Sequence, residues 1–341
     1  MKNQLWWIET RLFVKWGAST PKWHIHNSLY IFEGLTHAGY LRYSKKRTLL
    51  RLSLVLLILW MTFPLPEANG QGEVGLFTGI SHYQGDLESF NLDDGLKILL
   101  GPVIGAHGAY QINNHFMVRT DLLYTRLSGD DELNKNVSSK GRNLDFFAPV
   151  IQLAPGFDWN ILGFSVDQPD DFTLFTSVGA GIFYFNPRTK YMGDKVSLQP
   201  LGTEGQFLED YPDQHPYSRI QFSLQFGGGL KWRASETMIL SLETMLSYTF
   251  TDYLDDASTI YITYPELLEK AGPLTAALAN REGEYLGTEP VIVPTGTARS
   301  NPDTKDYFGM ITIRISRPID LWENEFKIRR HNNKTIPNPK F

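Results

Sequence analysis

The sequence predicts an all-β protein: an eight-stranded antiparallel transmembrane β-barrel with short periplasmic turns and long extracellular loops. Three observations carry that expectation. Period-two alternation of apolar and polar residues recurs in eight runs after residue 73. The runs are about 10–15 residues long, whereas soluble strands usually run about 5–6 and a tilted strand needs about 9–11 to cross a bilayer. An export-type segment precedes them all. A mean hydropathy of -0.24 argues against a bundle of membrane helices but not against a barrel, whose alternating strands average out. With no Cys in 341 residues, thiol catalysis, thiolate metal sites, disulfides and a lipid-bearing cysteine are excluded.

The export segment comes first in the chain. Lys45, Lys46 and Arg47 precede the uncharged run 52–63, and Ala68-Asn69-Gly70 follows. A basic start, a short apolar centre and a small-x-small end describe a cleaved signal peptide over residues 45–70. Twelve residues span about 18 Å as a helix, too short for a hydrocarbon core of about 30 Å, which disfavours a retained anchor. Residues 1–44 hold four of the eight Trp and no strand or helix period, and read as an early start assignment or a targeting extension. Residues 1–70 carry nine of the 32 basic and three of the 37 acidic residues, so the remainder holds 23 and 34, a net charge of -11. So acidic a chain disfavours a nucleic-acid partner.

The barrel is expected over residues 71–317. Its first strand sets Val74, Leu76, Thr78 and Ile80 against Glu73, Gly75, Phe77 and Gly79. The second, near 100–111, is Gly-rich and its register is ambiguous. The third sets Phe116, Val118, Leu122 and Tyr124 against Met117, Arg119 and Asp121. The fourth sets Phe147, Ile151, Leu153, Phe157 and Trp159 against Gln152, Ala154 and Asp158, and the fifth sets Leu174, Val178 and Ile182 against Ser177 and Gly179. The last three place Phe222, Leu224 and Phe226 against Gln225 and Lys231, Leu242 and Leu246 against Glu243, and Ile311 and Ile313 against Arg314. Aromatic residues cluster near run ends, as an interfacial girdle requires. The connections 111–114 and 233–236 are tight and 160–171 is intermediate, while 83–98, 127–142, 186–216 and 251–304 are long. A soluble lipocalin-type barrel would share the alternation but turn its apolar face inward. Strand length, the export segment and the lumen-like charges favour the membrane.

Several stretches resemble a known family: EVGLFTGISHYQGDL (73–87), VGAGIFYFNP (178–187), LQPLGTEGQ (198–206), TDYLDDASTIY (251–261) and RSNPDTKDYF (299–308). In this order they resemble the PorG-like outer-membrane proteins of Bacteroidetes, an outer membrane protein beta-barrel family associated with type IX secretion and gliding. The resemblance covers about 73–317, and TEGQ and DYLDD are its most specific parts. It implies an eight-stranded barrel in the cell outer membrane and a place in a secretion complex, not a reaction.

The candidate sites follow. Asp252, Asp255 and Asp256, beside Tyr253 and Leu254, lie after the seventh strand. Three carboxylates could hold Ca²⁺, but the spacing is not that of an EF-hand, and capping of backbone N–H groups is the plainer reading. No metal or cofactor is expected. Gly202, Thr203, Glu204, Gly205 and Gln206 form a loop that either presents Glu204 to a partner or makes a turn at the rim. Lumen-facing Arg119, Asp121, Lys231, Glu243 and Arg314 are costly unless paired, and balanced charges in so narrow a barrel form a plug rather than a pore. His82, near Ser81 and Asp86, is the best candidate for catalysis, but no G-x-S-x-G or H-E-x-x-H motif occurs and no enzyme is expected. Residues 318–341 form an apolar and basic tail on the periplasmic side, either a docking peptide or a frayed terminus. The expected partners are outer-membrane lipids and periplasmic or outer-membrane secretion proteins. A general envelope barrel of the OmpA or OmpW kind is the second reading, and a lipid-modifying enzyme or protease the third.

Overall fold

The computed structural model describes residues 72–87, 90–91, 97–134, 137–166 and 171–319. The leader segments 1–44 and 45–70, and tail residues 320–341, lie outside the described residues. Eight long strands form the wall: β1 (Gly72–Gln84), β2 (Leu100–Gln111), β3 (Phe116–Asp130), β4 (Asp145–Asn160), β5 (Phe172–Phe185), β6 (Ile220–Ser235), β7 (Met238–Thr249) and β8 (Tyr307–Ile319). Each pairs antiparallel with its sequence neighbours, and β1 pairs with β8, from Gly72 against Ile319 to Gln84 against Tyr307. The sheet is therefore a closed eight-stranded barrel with no free edge, the condition for strands that meet lipid. Among the described residues no helix is long and apolar enough to cross a membrane.

The outward face settles the choice against a lipocalin-type wall. Leu122, Ile151, Leu153, Val178, Ile182, Phe222, Phe226, Leu242, Ile311 and Ile313 are all exposed, while Arg119, Asp121, Lys231, Glu243 and Arg314 are buried inside. An apolar outer belt of this kind needs hydrocarbon as its solvent. Trp159 faces Phe116 and Trp232 faces Phe172 near the short-turn end, and Tyr184, Tyr248 and Phe250 are exposed near the other. These are the two aromatic girdles. Gly72 and Ile319 pair beside the 112–115 turn, so both barrel ends of the chain lie at the short-turn mouth.

Three details differ from the sequence reading. The ambiguous β2 turns Val103, His107 and Ala109 inward and Leu100, Ile104 and Tyr110 outward. Phe147 has outward parity but is buried, because Arg126 lies 4.4 Å over its ring and Lys195, from the hairpin Arg188–Tyr191/Asp194–Ser197, covers it at 5.7 Å. β8 runs two residues past the boundary placed at 317.

Candidate functional site

The lumen is filled in layers. Above the short-turn mouth, the 161–166 connection folds into the opening and buries Phe164 and Val166 against Ala109, Met117 and Ile239. The charged layer comes next. Arg119 donates from Nη1 to Glu243 Oε1 at 2.6 Å and to Asp158 Oδ1 at 3.1 Å, and from Nη2 to Asp121 Oδ2 at 2.7 Å. Arg314 donates to both Asp121 oxygens at 2.8 and 2.9 Å and, through Nε, to Glu243. Lys231 Nζ reaches Glu73 Oε1 at 3.0 Å and stands over the rings of Phe164 and Phe175. His107 Nε2 meets Ser316 Oγ at 2.6 Å.

The structure thus brings all five expected lumen charges into one network and adds Glu73, Asp158 and His107. The parity of Glu73 and Asp158 pointed inward in the sequence, whereas the glycines of β2 hid His107. Three cations and four carboxylates, all buried, face one another, so the network is a set of charge-assisted bonds.

Above the charges, Phe77, Val103, Leu123, Met245 and Met310 belong to one apolar cluster that continues to Tyr83, Phe146, Phe183, Phe185 and Phe308. A bonded shelf of Gln152 with Ser223 (2.7 Å) and Ser81 with Thr125 (2.7 Å) crosses it. Phe185, Tyr217 and Tyr253 then stack at 6.0 and 4.5 Å, leading from the barrel into the long loops.

Those loops form a cap. It contains α1 (Val137–Arg142), α2 (Tyr264–Lys270), α3 (Pro273–Ala279) and α4 (Glu282–Leu286), with Ile262, Leu267, Ala276 and Ala279 as a small core. Glu204 is its keystone. Gly202 (φ 63°) and Gly205 (φ 80°) take left-handed conformations that disfavour a side chain, folding Glu204 inward until it is wholly buried. Its carboxylate accepts from Ser258 N at 2.9 Å, Thr259 N at 3.1 Å, Thr259 Oγ1 at 2.7 Å and Arg299 Nη1 at 3.0 Å. Gln206 Oε1 accepts from Glu204 N at 2.9 Å, and Thr203 Oγ1 donates to Asp256 Oδ2 at 2.7 Å. Of the two arrangements open for this loop, the side chain of Glu204 takes the inward one, toward the cap interior.

The aspartates beside it are cap fasteners too. Asp256 accepts from the Tyr217 hydroxyl at 2.5 Å, and Asp252 Oδ2 accepts from Ser258 Oγ at 2.8 Å. The Tyr83 hydroxyl lies 2.8 Å from Asp255 Oδ2 and 2.7 Å from Asp306 Oδ1. One hydroxyl carries one proton, so it cannot donate to two carboxylates at once, and one carboxyl of the pair holds a proton. Asp255 also accepts from Leu87 N and Ala257 N, and Asp306 from Leu254 N at 2.9 Å. Among the described residues no group of three His, Asp or Glu side chains is placed to hold a metal ion.

Burial raises these acids. Asp252 is pushed up to about 7 and Asp256 to about 6, the latter against the pull of Arg299. Burial and mutual repulsion also raise Asp306, and burial with the nearby Asp86 raises Asp255. Unfolded aspartates titrate near pH 3.9, so the folded cap holds more protons than the unfolded one above that pH. Its stability is whole below about pH 4 and falls as pH rises through the folded values. Hydrogen exchange should therefore show the amides of Leu254 and Ala257 losing about tenfold or more in protection between pH 5 and pH 8, after correction for intrinsic rates. Unchanged protection would refute the shared-proton description.

The sequence candidate His82 is not gathered with Ser81 and Asp86 on one face. Ser81 points into the lumen while His82, the next residue, points to the opposite face, and Asp86 lies beyond β1 in the cap.

A family model described as Domain of unknown function (DUF6089) matches residues 50–267. No curated protein matches the chain. Among solved structures, the chain is similar to Ail, the attachment invasion locus protein of Yersinia pestis (12% identity, 72% of this chain and 98% of that one, TM-score 0.33). It is also similar to Neisserial surface protein A (10%, 73% and 97%, 0.33) and to the outer membrane protein OprG from Pseudomonas aeruginosa (11%, 74% and 99%, 0.33). The closed eight-stranded wall rests on this chain's own strand register.

Proposed function

From the premise that the chain belongs to the DUF6089 family, we propose that it is a non-enzymatic outer-membrane barrel that anchors periplasmic parts of a type IX protein secretion apparatus. The observation that carries the anchoring role is the filled lumen: a wall packed with paired charges, apolar layers and a folded cap holds position but conducts nothing. The apolar belt and girdles suit a bilayer, and short turns at one end with long loops at the other suit the outer membrane, with the cap outside. Both barrel ends of the chain then face the periplasm, where residues 320–341 follow β8 as a docking peptide. The secretion assignment rests on the sequence resemblance to PorG-like proteins.

The test is affinity purification from detergent extracts of the native cells. The expected result is co-purification of periplasmic secretion components with the full chain, lost when residues 320–341 are deleted. An empty purification from intact, folded barrel would sink the secretion role and leave an envelope barrel. The filled lumen disfavours small-molecule passage within that second reading.

A further inference from the structure

On the outer side of the cap, a cavity of about 700 Å³ opens between three long loops, a size suited to a small organic ligand. It is lined by Asp86 from the β1–β2 loop, Arg142 from the β3–β4 loop, and Tyr261, Glu282, Tyr285 and Arg299 from the β7–β8 loop.

The two arginines are spent on the protein itself. Arg142 donates to both oxygens of Asp131 at 2.9 and 2.7 Å, to Arg299 O at 2.7 Å and to Asp86 O at 3.2 Å. Arg299 donates to Glu204, to Asp256 O at 2.6 Å and to Ala279 O at 3.2 Å. Each guanidinium already has its own carboxylate, which removes the case for an anionic ligand.

The acids of the lining are in the opposite position. Neither Asp86 nor Glu282 has a salt-bridge partner among the described residues, although Asp86 accepts from the backbone N of Asn301 at 3.3 Å. Tyr285, 54% exposed, offers a ring at the rim. Tyr261 is only 8% exposed, yet its hydroxyl has no hydrogen-bond partner among the described residues, and the side chain lines the cavity. The hydroxyl is therefore free to bond with whatever occupies the cavity.

We propose that this cavity binds an organic cation of the primary amine class, delivered from outside the membrane. Asp86 and Glu282 serve as counter-ions, the Tyr285 ring packs on the cation and its alkyl chain, and the Tyr261 hydroxyl accepts a hydrogen bond from the ammonium. This site is at the opposite mouth from the proposed periplasmic docking and does not depend on it.

Calorimetric titration of the full chain in detergent micelles tests it, with spermidine as probe and maltotriose and magnesium chloride as controls. The expected result is a dissociation constant of about 1 mM or tighter for spermidine. Glu282→Gln should weaken it about tenfold, and Tyr261→Phe, which removes no bond from the fold, about threefold. Glu284→Gln, outside the cavity and in a pair with Arg281 at 2.9 Å, should leave it unchanged. Binding that the Glu282 and Tyr261 variants share equally with the parent, or that magnesium reproduces, would mean diffuse attraction to an acidic surface and would overturn the proposal. So would absence of heat at 10 mM spermidine, or binding of maltotriose in its place.

Discussion

Replacing Glu243 with alanine should lower the barrel's unfolding free energy by about 3–5 kcal/mol, among the largest losses available to a single substitution here. Glu243 is one of the two acceptors, with Asp121, that Arg119 and Arg314 share, and Ser177 Oγ adds a third donor to it at 3.3 Å. All three charged groups are buried. Without the carboxylate, two guanidiniums remain in a layer that cannot rehydrate them. Asp121 and Asp158 still bind, but they cannot replace the bond that ties β7 to β3 and β8. Urea unfolding from lipid vesicles, followed by the folded barrel's faster gel migration, measures the change. A loss under about 1 kcal/mol would show that the network is worth little in place. A second arm separates pairing from packing. Replacing Arg119, Asp121, Asp158, Glu243 and Arg314 together with apolar residues of similar volume should cost far less than the single change, because the Lys231–Glu73 pair at 3.0 Å remains matched and no charge is orphaned. Neither parent nor single variant should form stable channels in planar bilayers. Phe164 and Val166 below the network, and Phe183 and Phe308 above it, remain in place.

The same network shows what a linear sequence exposes. A strand's side chains alternate strictly, so one apolar face fixes the other by parity, and Arg119, Asp121, Lys231, Glu243 and Arg314 were legible as lumen residues. His107 was not, because Gly101, Gly105 and Gly108 give β2 no apolar parity to read. Phe147 had the right parity but not the right surroundings, since its cover comes from a hairpin some forty residues on. Phe164 and Val166 sit in a connection without period, and nothing in their order says that it folds into the barrel mouth. The cap was the least legible part. Its bonds join side chains to backbone and to one another across gaps of 43 to 95 residues, and no periodicity marks such pairs. Two glycines around Glu204 marked a turn, but whether the carboxylate faced in or out depended on Arg299 and on the amides of Ser258 and Thr259.

Glu204→Ala should therefore unfasten the cap while leaving the wall standing. The substitution strands a buried guanidinium and removes the acceptor of two backbone amides, so the cap should lose about 3–5 kcal/mol of local stability. The eight strands keep every ladder bond, because Glu204 touches none of them. The loss should appear as faster proteolytic nicking within residues 251–304, and as exchange of the Ser258 and Thr259 amides, with the barrel's gel mobility preserved. Arg299→Met removes the orphaned charge. In a cycle with Glu204→Ala, the double variant should be about 1–3 kcal/mol less damaged than the sum of the singles. Additive losses would mean that Glu204 holds the cap through the amides alone. Unchanged nicking of Glu204→Ala would deny it the keystone role, and loss of the folded barrel's mobility would mean that the cap and wall are one cooperative unit.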